Sequence, residues 1–428
     1  MNFYIVTFGC KVNQCESDKM SFLMTEKGYT LSASLEDADI IIVNSCTVTG
    51  ESDRKLRQTI HKIKKLNPDS IVLLTGCMPQ ASPEEAKKLD GVDIIVGNSK
   101  KYSLIQELEK FFKNKNKIID VPSINIQKEF QDTLSMDSSR RCRAFLKIED
   151  GCNRFCSYCI IPYARGRVRS LPLSKIKKDI ENLAKSGYKE VVLVGINLFS
   201  YGEDIGCDIA DAVKTACSVE GIKRIRLGSL EPDLLSDDLI ERLSLEKKLC
   251  PQFHLSLQSG SDKVLKLMRR KYNIKEYIKV VKKLKNKFPN ATFTTDLMVG
   301  FTGETDSDFR ESLDILKNVE FLKVHVFPYS IRPGTLAEKF KNPVDKKTKT
   351  NRVKEAIEFS EKISKMVLNK FIGNTLDVLY ETVNSQGMYE GYTENYIYVK
   401  TISETDIRGK ILPTKINEIK DNFCLGSI

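Results

Sequence analysis

The first hundred residues alternate apolar runs with helical patterns. FYIVTF (3–8), DIIIVNSC (39–46), SIVLLTGC (70–77) and VDIIVGN (92–98) are nearly unbroken apolar stretches, and helical periodicity falls near 15–28, 52–65 and 83–89. Continuous apolar strands separated by helices predict a parallel sheet covered on both faces. Ligands of such sheets bind beyond the carboxyl ends of the strands. Three of these runs end in a cysteine, Cys10, Cys46 and Cys77, each after a Gly or Ser that lets the backbone turn tightly. Equivalent placement predicts convergence on one metal centre. Cys15, one turn into the following helix, competes with Cys10 for it, and Cys10 is preferred because it matches the strand-end position of the other two.

Periodicity is lost over 112–137, which places a linker at 116–137 after an amino-terminal domain at 1–115. Strands then recur near 143–148, 189–194, 222–227, 252–257, 292–298 and 321–327, with the clearest helices at 172–188 and 305–318. Six βα units predict an α/β core at 138–368 built as a partial (β/α)6 barrel, with active residues at the carboxyl ends of its strands. A helical stretch at 345–368 leads to short strands in 369–428, the pattern of a small antiparallel β-barrel. Its Tyr380, Tyr389, Tyr392, Tyr396 and Tyr398 suit either base stacking or pleat packing.

The loop after the first core strand changes the picture most. Gly151-Cys-Asn-Arg-Phe-Cys-Ser-Tyr-Cys159 holds three cysteines in a C-x3-C-x2-C spacing. Three such thiolates, Cys152, Cys156 and Cys159, can hold three irons of an iron–sulfur cube and leave the fourth open to a substrate or cofactor. A zinc ribbon would need a second Cys or Cys/His pair downstream, yet the chain has three histidines and the next cysteine, Cys207, stands alone. A disulfide framework suits short secreted domains, whereas this chain has 428 residues and opens without a secretion pattern. Cys142, Cys207, Cys217, Cys250 and Cys424 read as small hydrophobes.

At 41% hydrophobic and 29% charged residues, the composition is that of a globular protein. No apolar run approaches the ~20 residues of a membrane span. Twelve cysteines without a secretion signal point to a reducing compartment, so the cytoplasm is the expected location. Of the net charge of +11, a surplus of ten sits in 263–287, which holds eleven Lys/Arg and one Glu. That concentration is better explained by a polyanion such as RNA than by a solvated helix face.

The cysteine loop resembles that of the radical S-adenosylmethionine enzymes. Together with Cys10, Cys46 and Cys77 it resembles the methylthiotransferases of that superfamily, over essentially the whole chain. KIEDGCNRFCSYCIIPYARGRVRS (147–170), GSLEP (228–232), HLSLQSGSD (254–262) and HVFPYSIRPGTLA (325–337) carry the likeness. TFGCKVNQCES (7–17) looks most like the branch that acts on N6-threonylcarbamoyladenosine at position 37 of tRNA. The isopentenyladenosine branch and the ribosomal protein S12 branch open with different phrases and remain the alternatives. A non-catalytic iron–sulfur RNA-binding protein is the alternative of another class.

The resemblance implies a radical core, a carboxyl-terminal TRAM barrel and two [4Fe-4S] clusters. Cys152, Cys156 and Cys159 would hold the catalytic cluster, which cleaves S-adenosylmethionine to a 5′-deoxyadenosyl radical that attacks adenine C2. Cys10, Cys46 and Cys77 would hold a second cluster that carries the sulfur to be inserted, and a second S-adenosylmethionine would methylate it. Both clusters must face one cavity, so the carboxyl face of the first domain is expected over the barrel mouth. Asn197, Ser229, Glu231, Gln258 and Asp296 are the strand-end candidates for holding S-adenosylmethionine. Arg270, Arg165, Arg167 and Arg169 are candidates for its carboxylate or for RNA phosphate, while His254 and His325 suit core packing as well as function.

Implied partners are the tRNA anticodon loop with adenosine 37, an electron donor such as flavodoxin or ferredoxin, and a sulfur source. Residues 371–428 carry five Lys/Arg against eight Asp/Glu, so this barrel lacks the cationic surface that attracts phosphate. Tight RNA contact is therefore expected from Lys263, Lys266, Arg269, Lys271, Lys275, Lys279, Lys282 and Lys283, with Arg54, Lys55, Arg57, Lys62, Lys64 and Lys65 in support.

Overall fold

The computed structural model describes residues 1–133 and 142–428. Its amino-terminal sheet is parallel, with strands β1 (Asn2–Thr7), β2 (Thr30–Leu31), β3 (Ile40–Ser45), β4 (Ile71–Gly76), β5 (Ile94–Val96) and β6 (Ile118–Asp120) in the order β2-β1-β3-β4-β5-β6. Every residue of β3 is buried, which accounts for its unbroken apolar run. Helices cover both faces. α1 (Lys11–Glu26) and the helix at 104–114 pack on one side, and α2 (Gly50–Leu66) lays Leu56, Ile60 and Ile63 on the other.

The segment expected as a linker supplies the edge strand β6, which pairs with β5 through Ile118 and Ile119. Three residues carry no readable period, so the sequence pattern missed it. The expected linker beyond residue 133 and the expected core start at 138 lie outside the described residues.

The core strands are β7 (Arg143–Lys147), β10 (Glu190–Val194), β11 (Arg224–Leu227), β12 (Ser229–Leu230), β13 (Gln252–Leu255), β14 (Thr292–Val299) and β15 (Lys323–Pro328). β11 and β12 are one strand interrupted at Gly228, so six parallel strands curve from β7 at one edge to β15 at the other. A hairpin of β8 (Glu149–Asp150) and β9 (Arg169–Ser170) brackets the cysteine loop. Alternate residues point outward into the main core, such as Leu146, Val191, Ile225, Phe253, Phe293 and Leu297. Their neighbours line the lumen.

The carboxyl-terminal strands are β16 (Thr375–Val383), β17 (Tyr389–Thr393), β18 (Tyr398–Thr401), β19 (Ile411–Lys420) and β20 (Phe423–Ser427), closed in the order β16-β17-β18-β20-β19. Five strands cannot close with every pair antiparallel. Here β18 and β20 form the one parallel pair. This barrel covers the amino-terminal foot of the lumen. Arg224, at the start of β11, donates to Asp377 O at 2.7 Å, and Arg226 donates to Glu394 O at 2.8 Å. Tyr392 stacks on Tyr396 and Tyr398, with the Arg143 guanidinium 4.8 Å from the Tyr392 ring centre. Tyr380 is buried against Thr414. Packing thus occupies Tyr380, Tyr392, Tyr396 and Tyr398, and these rings do not present free faces to bases. No helix among the described residues is long and apolar enough to cross a membrane.

Candidate metal centres and the cavity between them

Cys46 and Cys77 follow β3 and β4 directly, Cys10 follows β1 after Phe8 and Gly9, and the three lie at the carboxyl edge of the sheet. Gly9 and Gly76 precede two of them with φ of +97° and +98°, a region that only glycine enters freely. A Cβ at Gly9 would lie 2.7 Å from Cys46 Cβ, and one at Gly76 would lie 2.4 Å from Ser45 O. Neither position has room for a side chain, because the three loops are pressed together. Asn13 donates to Phe8 O at 2.7 Å and Ser45 O at 3.1 Å, and Ser45 Oγ donates to Thr75 O at 2.6 Å. Cys15 points elsewhere. Its thiol donates to Phe145 O at 3.7 Å and packs with Val192 and Val194 inside the core lumen.

On the facing wall, Asn197 donates to Cys152 Sγ at 3.9 Å, and Arg270 donates to Cys156 Sγ at 3.6 Å. Ser157 pins the loop by bonds to Met268 O at 3.0 Å and Leu267 O at 2.7 Å. Burial pushes the Cys152 thiol up to about 12 and the Cys46 thiol up to about 12, so binding a cation there must displace protons.

A cavity of about 230 Å³ lies beside Cys152, Cys156 and Cys159. All six expected cofactor-binding side chains line it: Asn197, Ser229, Glu231, Gln258, Arg270 and Asp296. Ser229 Oγ sits 3.1 Å from Ser256 Oγ, and the Arg270 guanidinium pairs with Glu231. Arg270 is thereby held in the cavity wall. Val48 and Thr49, two and three residues beyond Cys46, close the cavity from the amino-terminal domain.

Further bonds hold the two domains over this space. Gly50 N donates to Ser330 Oγ at 2.9 Å, Arg332 donates to Thr47 Oγ1 at 2.8 Å and pairs with Asp53, and Asn98 donates to Ala164 O at 2.7 Å. The carboxyl face of the first domain therefore packs over the barrel mouth.

The residues fit the clusters and cofactor that the cysteine pattern implies. One thiol triad comes from three loops pressed together and the other from a single loop. Among the described residues no three Cys, His, Asp or Glu side chains are drawn together as they would be around a single metal ion. Buried Asn197 Oδ1 and Gln258 Oε1 have no hydrogen-bond partner, and both belong to side chains that line the cavity, where a donor-rich ligand satisfies them.

Residues 146–316 match the radical SAM superfamily model, and residues 2–97 match the uncharacterized protein family UPF0004. The threonylcarbamoyladenosine tRNA methylthiotransferase MtaB of Bacillus subtilis is 36% identical, over 96% of this chain and 92% of its own. That of Aquifex aeolicus is 39% identical, over 92% and 95%. The tRNA-2-methylthio-N(6)-dimethylallyladenosine synthase of Acetivibrio thermocellus is 34% identical, over 99% and 90%. Among solved structures, the radical S-adenosylmethionine methyltransferase TsrM of Kitasatospora setae shares the fold at a TM-score of 0.60 and 12% identity, covering 78% of this chain and 76% of its own. The chain belongs to the radical S-adenosylmethionine methylthiotransferase family. Its cofactors are two [4Fe-4S] clusters and S-adenosylmethionine.

The methylthiotransferase joins its two domains through a buried ionic cluster. Glu16 of α1 meets Lys101, Lys147 and Arg165 at 2.6, 3.1 and 2.9 Å, and Asp150 meets Lys147, Arg165 and Arg169 at 2.8, 2.9 and 3.4 Å. Arg165 and Arg169 are therefore interface residues, contrary to the expectation that they meet cofactor or RNA. Arg167 is exposed, its guanidinium 4.7 Å from the Phe155 ring centre. Four cations facing two carboxylates leave a positive surplus. That surplus suits an anionic cluster on the three cysteines. Sequence reasoning missed this network because Glu16 and Arg165 lie 149 residues apart.

The basic stretch divides. Lys263 pairs with Asp308 and Lys283 with Asp237, so these two are partly neutralised. Lys266, Arg269, Lys271, Lys275, Lys279 and Lys282 are exposed and make no ion pair among the described residues. The helix Ile274–Lys287 joins two parallel strands and so runs back from mouth to foot. Lys266, Arg269, Lys271 and Lys275 stand nearer the mouth, and Lys279 and Lys282 lie further down. On α2, Arg54 and Lys55 pair with Glu51 and Lys64 with Asp93, while Arg57, Lys62 and Lys65 are exposed.

Proposed function

We propose that this methylthiotransferase acts on tRNA and places a methylthio group on C2 of N6-threonylcarbamoyladenosine at position 37. The observation that carries the reading is the cavity beside Cys152, Cys156 and Cys159, lined on its other side by Val48 and Thr49, which follow Cys46. An aromatic C–H is not acidic, so sulfur insertion there needs radical chemistry, which the clusters and S-adenosylmethionine supply when bound. Cys152, Cys156 and Cys159 hold one cluster, and Cys10, Cys46 and Cys77 hold the other. Asn197, Ser229, Glu231, Gln258, Arg270 and Asp296 hold the cofactor against the first. The domain contacts over the mouth exclude water from the reacting atoms.

The choice of substrate branch is supported by the opening phrase TFGCKVNQCES and by the relatives whose names carry threonylcarbamoyladenosine. The mouth-side cations Lys266, Arg269, Lys271 and Lys275 draw in the anticodon stem-loop through its phosphates, with Lys279 and Lys282 extending the track. A low-potential donor such as flavodoxin or ferredoxin and a separate sulfur source complete the system. The test is mass spectrometry of tRNA nucleosides from a strain lacking this protein. The methylthio form of threonylcarbamoyladenosine should disappear and the unmethylthiolated form accumulate. Loss of the methylthio isopentenyl form instead would assign the protein to the other tRNA branch.

A further inference from the structure

The core sheet is open between its edge strands β7 and β15. Lys11, the first residue of α1, stands at this gap. Its Nζ lies 5.5 Å from the centre of the Phe145 ring, on the lumen side of β7. On the opposite edge strand stands His325 of β15, which is solvent-exposed despite lying on a core strand. The His325 ring is 6.0 Å from that of His254. His254 Nε2 lies 3.4 Å from Asp296 Oδ2, and Asp296 lines the cofactor cavity. A polar track thus leads from the lateral gap to the cavity, while Phe145, Val192 and Val194 keep the neighbouring wall apolar.

Lys11 makes no ion pair among the described residues, and neither does Lys323 beside His325. The nearby Glu190 is taken by Arg226, at 2.8 Å. Lys11 also follows Cys10 directly, so it is fixed next to the auxiliary thiol triad. A cation without an ion-pair partner beside that triad, standing at the gap between β7 and β15, is arranged to receive an anion from the substrate.

We propose that Lys11, with His325 opposite it, is a specificity-determining residue that receives the carboxylate of the threonylcarbamoyl substituent. The inference rests on the substrate reading given above. C2 and the N6 substituent belong to one six-membered ring, so a base whose C2 faces the Cys10 side brings the chain on N6 toward residue 11. The threonylcarbamoyl group ends in a carboxylate, whereas an isopentenyl group is pure hydrocarbon and leaves the ammonium without a partner. A charged hydrogen bond that is made or lost in this way changes affinity by roughly ten- to a hundredfold.

The experiment uses the reconstituted full-length enzyme and two anticodon stem-loop RNAs. One carries threonylcarbamoyladenosine and the other its carboxyl methyl ester, and the methylthio product of each is followed by nucleoside mass spectrometry. With the wild-type protein, esterification should raise KM by roughly ten- to a hundredfold. Lys11→Gln should raise KM for the acid by a similar factor and erase the preference for acid over ester, and Lys11→Arg should restore it. Equal KM values for acid and ester in the wild-type protein would overturn the inference, and this arm needs no variant to fold. A Lys11→Gln enzyme that still prefers the acid would overturn it too, and a KM raised equally for both RNAs would assign Lys11 to a backbone phosphate instead. If the wild-type protein yields no methylthio product from the acid but does so from an isopentenyladenosine stem-loop, the substrate reading itself has failed.

Discussion

Cys156→Ala should reduce the release of 5′-deoxyadenosine from S-adenosylmethionine to background. Cys156 is the middle thiol of a loop whose three cysteines stand on one side of the cavity, and no other cysteine lines that space. With two thiols left, the cluster has too few ligands, and the iron bound after reconstitution should fall by about four atoms per chain. The loss falls on chemistry rather than on folding. The loop is also held by Ser157 through Met268 O and Leu267 O, and by the hairpin of β8 and β9, none of which involves the Cys156 side chain. Chromatographic measurement of 5′-deoxyadenosine with dithionite as reductant checks the expectation. A variant that retained more than a tenth of the wild-type release would contradict the assignment.

Glu16→Ala should lower the stability of the protein by about 3–5 kcal/mol, the usual cost of removing one partner from a buried ion cluster. The carboxylate is fully buried and faces Lys101, Lys147 and Arg165; its removal would leave Lys101 without a counterion and Lys147 and Arg165 sharing Asp150 alone. Burial pushes the Glu16 carboxyl up, but the three cations pull it further down, so its folded value lies well below the usual range. A depressed carboxylate gives its full stabilisation above the unfolded value of about 4.3 and loses it as pH falls from there toward the folded value. Because Lys147 and Arg165 belong to the core and Glu16 to α1, the change should also loosen the domain interface. Denaturant unfolding of the cluster-free protein measures the effect, and a loss below about 1 kcal/mol would show that the cluster relaxes or takes up water.

The sequence made the centres legible because their signals are local. Cys10, Cys46 and Cys77 each end an apolar run, and the loop from Cys152 to Cys159 is a single spacing. Five of the cofactor candidates were read from expected strand ends, where parallel sheets bind ligands; Asn197, Ser229, Glu231 and Gln258 lie close to such ends, whereas Asp296 lies within β14 and Arg270, read separately, follows the helix Asp262–Leu267. What escaped was short or long-range. Strands β2 and β6 have two and three residues, too few to show a period. Strand β20, FCLGS, reads as a tail until the parity of a five-stranded barrel demands a parallel partner for β18. Arg165 and Arg169 looked like free cations because their carboxylates come from elsewhere in the fold, Glu16 from α1 and Asp150 from the far side of the cysteine loop. Tyr392 and Tyr396 suited base stacking or pleat packing equally in the sequence, and the guanidinium groups of Arg143 and Arg226, which pack on them, come from distant strands.

The central claim is a division of labour, with radical formation at Cys152, Cys156 and Cys159 and sulfur delivery at Cys10, Cys46 and Cys77. Cys46→Ala tests it most directly, assayed in one reaction for both 5′-deoxyadenosine and the methylthio nucleoside. The account predicts 5′-deoxyadenosine release close to wild type with no methylthio product. Methylthio product at wild-type levels, or complete loss of 5′-deoxyadenosine release in a variant that still holds the Cys152–Cys159 cluster, would contradict it.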